Sequence, residues 1–263
     1  MVAKDGNTTA AASKLNVHNR SIELYNRFRY FADAAQAKSA EAEARKGETI
    51  KTEYPGGYSL HFPAYALMRE ASWLRLAAIE HFFSWTEHIF IHIAILMGKA
   101  ITGNDVASLA KAEWADKYKA AIGLTNTTSK KFYDDLLALR RQVRNFVAHG
   151  SFGKDGEAFQ FHSGAGAVPL RLLNNPGKAH FAFGAGLDFN DKAALELIER
   201  SIEHVWADER TPAKIYIQQS GLPLILTYAQ NGKYNRAMQS ASDMESFTEG
   251  LMHEFDRASN MDF

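Results

Sequence analysis

The sequence predicts a mainly α fold, a helical bundle with a small β or irregular insert, on three observations. Long stretches carry apolar residues at spacings of three and four, which places them on one side of a helix. Glycines close several of these stretches, at Gly47, Gly123 and Gly150. Short aromatic alternations, "EAFQFH" and "KAHFAFG", are confined to residues 151–189, where glycine-rich connections separate them.

Residues 1–15 are small and polar and are expected to be disordered. From Ser21 to Lys46 an apolar start (Ile22, Leu24, Tyr25, Phe28, Phe31) gives way to an Ala/Glu/Lys surface stretch, which reads as one helix. "YPGGYSLHFPAY" breaks the period with two prolines and two glycines and reads as a loop. A second helix is expected from about Tyr65 to Ala100, with Leu67, Leu74, Ala78, Trp85, Ile89 and Leu96 on its apolar face. At 1.5 Å per residue it would run about 50 Å, long enough to expect a kink or a break. "TGNDVASLAKAEWADKYKAAIGL" predicts a third helix, capped by Asn104 or Asp105 and stopped at Gly123.

A fourth helix follows "TNTTS", with Phe132, Leu136, Leu139, Val143 and Phe146 (or Val147) inward and Gly150 as its stop. After the insert, helix returns from about Asp191 to Glu209. "PAKIYIQQSGLPLILTY" fits strand or packed coil equally well. The last helix, about Ser242 to Arg257, opens on Ser242 and Glu245 at capping-box spacing. The expected organisation is a polar N-terminus (1–15), a helical bundle (16–150), a strand or loop insert (151–190) and a C-terminal helical part (191–263) packed on the same domain.

Thirty basic and thirty acidic side chains cancel, so no global positive field advertises nucleic acid, although a local patch can still bind phosphate. The chain has no cysteine, which excludes disulfides, thiol catalysis and Cys-ligated zinc and fits a reducing cytoplasm. "MVAKDGNTTAAASKLN" lacks the apolar core of a signal peptide. The run from Ala77 to Met97 is long enough to cross a bilayer, but Glu80 and Glu87 would make that costly. It reads as a buried helix of a protein with no membrane partner.

The segment "LRRQVRNFVAHGSFG" carries the chemistry. Arg141, Asn145 and His149 step by four along one side of the fourth helix, and Arg144 lies next to that side. Arg144 and His149 are about 140° apart on a regular helix. They converge on one atom only if the helix end releases His149 or if two copies of the helix face each other. Histidine titrates near neutrality and can take a proton from a ribose 2′-hydroxyl or give one to a leaving 5′-oxygen. Arginine holds phosphate oxygens as charge builds in the transition state. A carboxamide such as Asn145 can orient either. This set needs no metal and no cofactor, and it cuts RNA but not DNA.

"RNFVAH" resembles the RxxxxH motif of HEPN domains (higher eukaryotes and prokaryotes nucleotide-binding), helical bundles in which a polar residue commonly follows the Arg. The resemblance spans about Tyr65 to Phe152, through "SWLRLAAIEHFFSWTEHIFIH" and "WADKYK". It implies a metal-independent ribonuclease acting on RNA as a homodimer with a composite active site, in phage defence (abortive infection) or a toxin–antitoxin system with an antitoxin partner. Under it Arg144 and His149 are catalytic and Asn145 is supportive. The chain departs from one branch of the family at Ser151, where that branch carries a modifiable Tyr. Arg141 on the same helix, and Glu80 or Glu87 reaching across the bundle to Arg144 or His149, complete the expected set.

Other readings stand beside this one. The motif could serve a non-catalytic HEPN-like module that binds nucleotide, RNA or a partner protein. It could also be incidental, with Arg144 paired to Asp134, Asp135 or a glutamate and His149 capping the helix end. His81, His88 and His92 share a side of the second helix; a packed or interfacial role is expected and no metal is assigned. "SGAGAV" and "FGAGLDF" lack the spacing of phosphate loops and read as turns.

Overall fold

A computed structural model describes the backbone of residues 16–149, 158–163, 166–171, 182–183 and 191–260, with side chains throughout except for 145–183 and Asp208. The expected disorder of 1–15 and the stop at Gly150 lie outside the described residues.

The fold is mainly helical. Helix α1 (Ser21–Ala44) buries Ser21, Phe28, Ala35 and Ala42, one residue in every seven, and ends at Gly47, whose φ of 82° suits a residue without a Cβ. Helix α2 (Pro63–Leu96) begins on a proline and runs antiparallel to α1. Ring pairs mark the register: Tyr25 meets Trp85 at 5.1 Å, Phe28 meets Phe82 at 6.0 Å and Phe31 meets His81 at 4.7 Å. Further out, Lys38 pairs with Glu70 at 2.9 Å, and the Arg75 guanidinium reaches Ser39 Oγ. The helix is not broken. No proline or glycine interrupts α2 after Pro63, and 34 residues form one helix.

Between α1 and α2 the expected loop is a β-hairpin. Strand β2 (Ile50–Tyr54) pairs antiparallel with β3 (Gly57–His61) around Pro55-Gly56. Pro55 fixes one turn dihedral and Gly56 supplies a φ of 96°, so the breakers read as a loop are the turn of a hairpin.

The inner half of α2 is the centre of the core. The third predicted helix is two, α3 (Gly103–Lys111) and α4 (Trp114–Ala121), with Ala112 and Glu113 extended between them. The break lets Trp114 turn inward, where its indole N–H donates to Thr86 Oγ1 at 2.9 Å. The cap of α3 is Thr102, one step before Gly103, in a capping box with Asp105. Helix α5 (Thr127–His149) leans on α2, α4 and α6.

The insert contains three strands, β4 (Ala158–Ser163), β5 (Gly166–Arg171) and β6 (Ala182–Phe183), in one antiparallel meander. Helix α6 (Asp191–Val205) then returns to the core. Arg210 fills the turn behind it, its guanidinium donating to the Val205 and His204 carbonyls at 2.9 Å each.

The segment left open between strand and coil is helical. Short α7 (Thr211–Lys214) continues into a wider π turn (Ile215–Ser220), and Gly221 ends it in the left-handed region. Strand β7 (Leu224–Ile225) pairs antiparallel with β1 (Asn16–Val17), tying the start of the described chain to the C-terminal part. Helices α8 (Leu226–Gln230), α9 (Lys233–Ala237) and α10 (Ala241–Asn260) close the fold. The cap of α10 is Ser240 with Asp243, two residues before the expected Ser242–Glu245 pair.

Buried apolar side chains from Phe28 to Leu251 form one cluster. The C-terminal residues enter it directly: Trp85 packs on Trp206 at 6.0 Å and donates to Gln218 Oε1 at 3.2 Å. Among the described residues no helix is long and apolar enough to cross a membrane.

Candidate functional site

Helix α5 carries the motif in its last two turns. Its start is fixed by Asn126, whose side chain accepts from the Thr128 N–H at 2.7 Å. The Ser129 carbonyl accepts from the buried Tyr118 hydroxyl at 2.8 Å, and Phe132 stacks on His204 at 4.9 Å. Leu136, Leu139 and Val143 are buried and hold the helix to the core up to the residue before Arg144.

Arg140 completes the anchorage. Its guanidinium lies over the Phe83 ring, 5.8 Å from the centroid, and donates to Glu87 Oε1 at 2.7 Å. Glu87 Oε2 takes Lys117 Nζ at 3.0 Å, and the Lys117 side chain is only 6% exposed. One carboxylate therefore ties α2, α4 and α5 together and compensates a buried ammonium. Ser129 sits by Tyr118, which packs on Phe90, whereas Arg140 sits by Phe83. Later turns of α5 thus meet earlier turns of α2, and the motif end heads toward the outer half of that helix.

The predicted residues fall as follows. Arg141 and Arg144 are exposed and have no carboxylate partner among the described residues. Asn145 and His149 belong to the helical backbone, and their side chains lie outside the described residues. Glu80 is exposed and has no ion-pair partner among the described residues. Glu87 faces the motif helix but holds Arg140, one turn before Arg144. The incidental reading expected Arg144 to be paired with Asp134, Asp135 or a glutamate; Asp135 instead takes Lys131 at 2.6 Å. Arg140 was not singled out from the sequence. Its signal was present: it precedes Arg144 by four, so both project from one side of α5, one neutralised and one without a carboxylate partner among the described residues. An exposed, uncompensated guanidinium on an anchored helix is suited to phosphate.

The α2 histidines are packed, as expected. His81 Nδ1 lies 2.7 Å from the Ala77 carbonyl. His88 Nε2 accepts the backbone N–H of Arg20 at 2.9 Å. His92 places Nδ1 2.8 Å from the His88 carbonyl and Nε2 3.3 Å from the His18 carbonyl, with the His88 ring 4.1 Å away. Burial lowers the pKa of both His88 and His92. His88 falls to about 3, helped by His92, Arg20 and His18. Among the described residues no three His, Asp or Glu side chains are grouped to hold a metal.

Two tyrosines of the core show the same cost of burial. Tyr216 donates to the Pro223 carbonyl at 2.8 Å and meets Tyr234 Oη at 3.2 Å, and burial raises both phenols, Tyr234 to about 12.

No family, curated protein or solved structure matches the chain.

Proposed function

We propose that the chain is a metal-independent endoribonuclease of HEPN type, acting as a homodimer in which Arg144 and His149 of two copies line one cleft. The observation that carries this reading is Arg144. It is exposed, without a partner among the described residues, in the turn beyond Val143 on a helix pinned at Arg140, and begins an Arg-Asn-x-x-x-His run that ends the helix. In the reaction the ribose 2′-oxygen attacks the adjacent phosphorus and the bond to the 5′-oxygen breaks. One His149 takes the 2′-hydroxyl proton, the other protonates the leaving oxygen, and the arginines hold the non-bridging oxygens. Asn145 and Arg141 flank the phosphate. A cytoplasmic role in phage defence or growth arrest, with an antitoxin partner, rests on the family resemblance alone.

The test is incubation of the purified full chain with a mixed RNA pool, with and without chelator. Cleavage to 2′,3′-cyclic phosphate and 5′-hydroxyl ends, insensitive to chelator and abolished in both Arg144→Ala and His149→Ala, is expected. Absence of cleavage, or cleavage undiminished in His149→Ala, overturns the catalytic reading. Tight RNA binding without new ends, unchanged in His149→Ala, would assign the non-catalytic module instead.

A further inference from the structure

The hairpin at the tip of the α1–α2 pair is built unlike the rest of the molecule. Every residue of β2 and β3 is exposed, on both faces. A lone two-stranded ribbon is marginal in water. Eight of the twelve large apolar side chains that stand exposed among the described residues lie between Ile50 and Trp73, each 42–73% exposed. Ile50 and Tyr54, 42% and 55% exposed, are the two of these on β2.

The pattern of β2 specifies the occupant. Tyr54 and Gly57 flank a two-residue turn and are hydrogen-bonded to each other. By alternation Thr52 and Ile50 also direct their backbone groups to β3, which leaves the N–H and C=O of Lys51 and Glu53 on the free edge. Neither residue has a backbone partner outside the hairpin among the described residues. Laid antiparallel on itself about Thr52, the strand Ile50-Lys51-Thr52-Glu53-Tyr54 is self-complementary. Lys51 falls opposite Glu53, Ile50 opposite Tyr54 and Thr52 opposite Thr52. The two Lys–Glu pairs coincide with the two positions whose backbone groups are free, giving four backbone hydrogen bonds. An edge lysine normally repels a like neighbour; in this register it meets a carboxylate.

We infer that β2 is a self-pairing edge, through which a second copy of this chain joins the hairpin into a four-stranded sheet across a twofold axis at Thr52. The inference goes beyond the nuclease reading and is independent of it. Within one chain Lys51 already touches Glu53 and lies over the Tyr58 ring at 4.9 Å. The test must therefore separate contacts inside a hairpin from contacts between hairpins.

Charge swapping does so. Lys51→Glu places two carboxylates opposite two carboxylates, and Glu53→Lys places ammoniums opposite ammoniums. Each variant should raise the dissociation constant of the pairing about tenfold or more and halve the mass seen by sedimentation at concentrations where the wild type is assembled. Mixing the two variants restores opposite charges only between chains, so the wild-type mass should return, while each hairpin keeps its internal repulsion. Far-UV circular dichroism confirms that both variants stay folded. A monomeric wild type at about 100 μM, masses unchanged in the single variants, or no recovery on mixing each overturns the inference. A monomer that instead floats with anionic phospholipid vesicles would do so by assigning the apolar tip to lipid.

Discussion

Acid should unfold this protein partly through one histidine. His88 sits where the chain enters α1, its Nε2 lone pair occupied by the Arg20 N–H at 2.9 Å and its ring 4.1 Å from His92. A second proton must displace that bond and be accommodated away from water, beside two more histidines and an arginine. The folded-state pKa is accordingly depressed from 6.5 to about 3. Between these values the unfolded chain binds the proton and the folded chain does not, so stability is fully present above 6.5 and is lost as pH falls. At about 1.36 kcal/mol per unit, going from neutrality to pH 5 costs about 2 kcal/mol through this group. Carboxylates titrate over part of the same range, so the variant His88→Gln isolates the term: its amide can still accept from Arg20 but takes up no proton. Urea unfolding of both proteins at several pH values is the assay. The stability difference should move by about 2 kcal/mol in favour of the variant between pH 7.5 and 5. Parallel curves would refute the claim that the fold excludes this proton.

Three ion pairs make further predictions. Arg75 and Asp191, 10% and 13% exposed and 2.8 Å apart, join the outer half of α2 to the first turn of α6. Arg75→Met strands the carboxylate and should cost about 3 kcal/mol in urea unfolding, with part recovered in Arg75→Met/Asp191→Leu. Glu87→Gln leaves the buried Lys117 ammonium without its carboxylate and should cost about 1–2 kcal/mol. Arg140→Met, which keeps an apolar stem against Phe83 and loses only a pair about one-third exposed, should cost less than about 1 kcal/mol in the same measurement.

The helical plan was legible because it is written in apolar spacing. Leu67, Ala78, Trp85, Ile89 and Leu96 of the α2 stripe and Leu136, Leu139 and Val143 of the α5 stripe are buried, Leu74 and Phe132 only partly, and the side chains of Phe146 and Val147 lie outside the described residues. What was misread turned on interactions no local pattern contains. The α3–α4 break depends on Trp114 reaching Thr86 on another helix. The hairpin was hidden because Pro55, Gly56 and Gly57 mark a turn without saying whether the flanks pair. The π turn at Ile215–Ser220 is held by long-range bonds, Ser21 Oγ and Asn19 Nδ2 to the Ile217 carbonyl and Trp85 to Gln218. At the candidate site the exposure of Arg144 follows from its place beside the buried stripe. The role of Glu87 does not: its partner is whichever arginine α5 carries to the level of Phe83, and only packing fixes that level.

Two self-contacts on one chain are constrained by symmetry. Each isologous contact closes a dimer by itself, and two on separate axes build four chains or more. The hairpin lies beyond Pro63, about 30 Å along α2 from Phe83, where Arg140 docks α5. The axis of an antiparallel strand pair stands normal to its sheet, so pairing at Thr52 carries the two bodies outward from the tips and leaves their motif helices apart. The nuclease cleft therefore requires a second contact near the end of α5. If that contact forms, the wild type reaches four chains, and Lys51→Glu stops at two with RNA cleavage intact. Loss of cleavage in folded Lys51→Glu would instead show that one axis serves both contacts, and the separation of tip and cleft would be wrong.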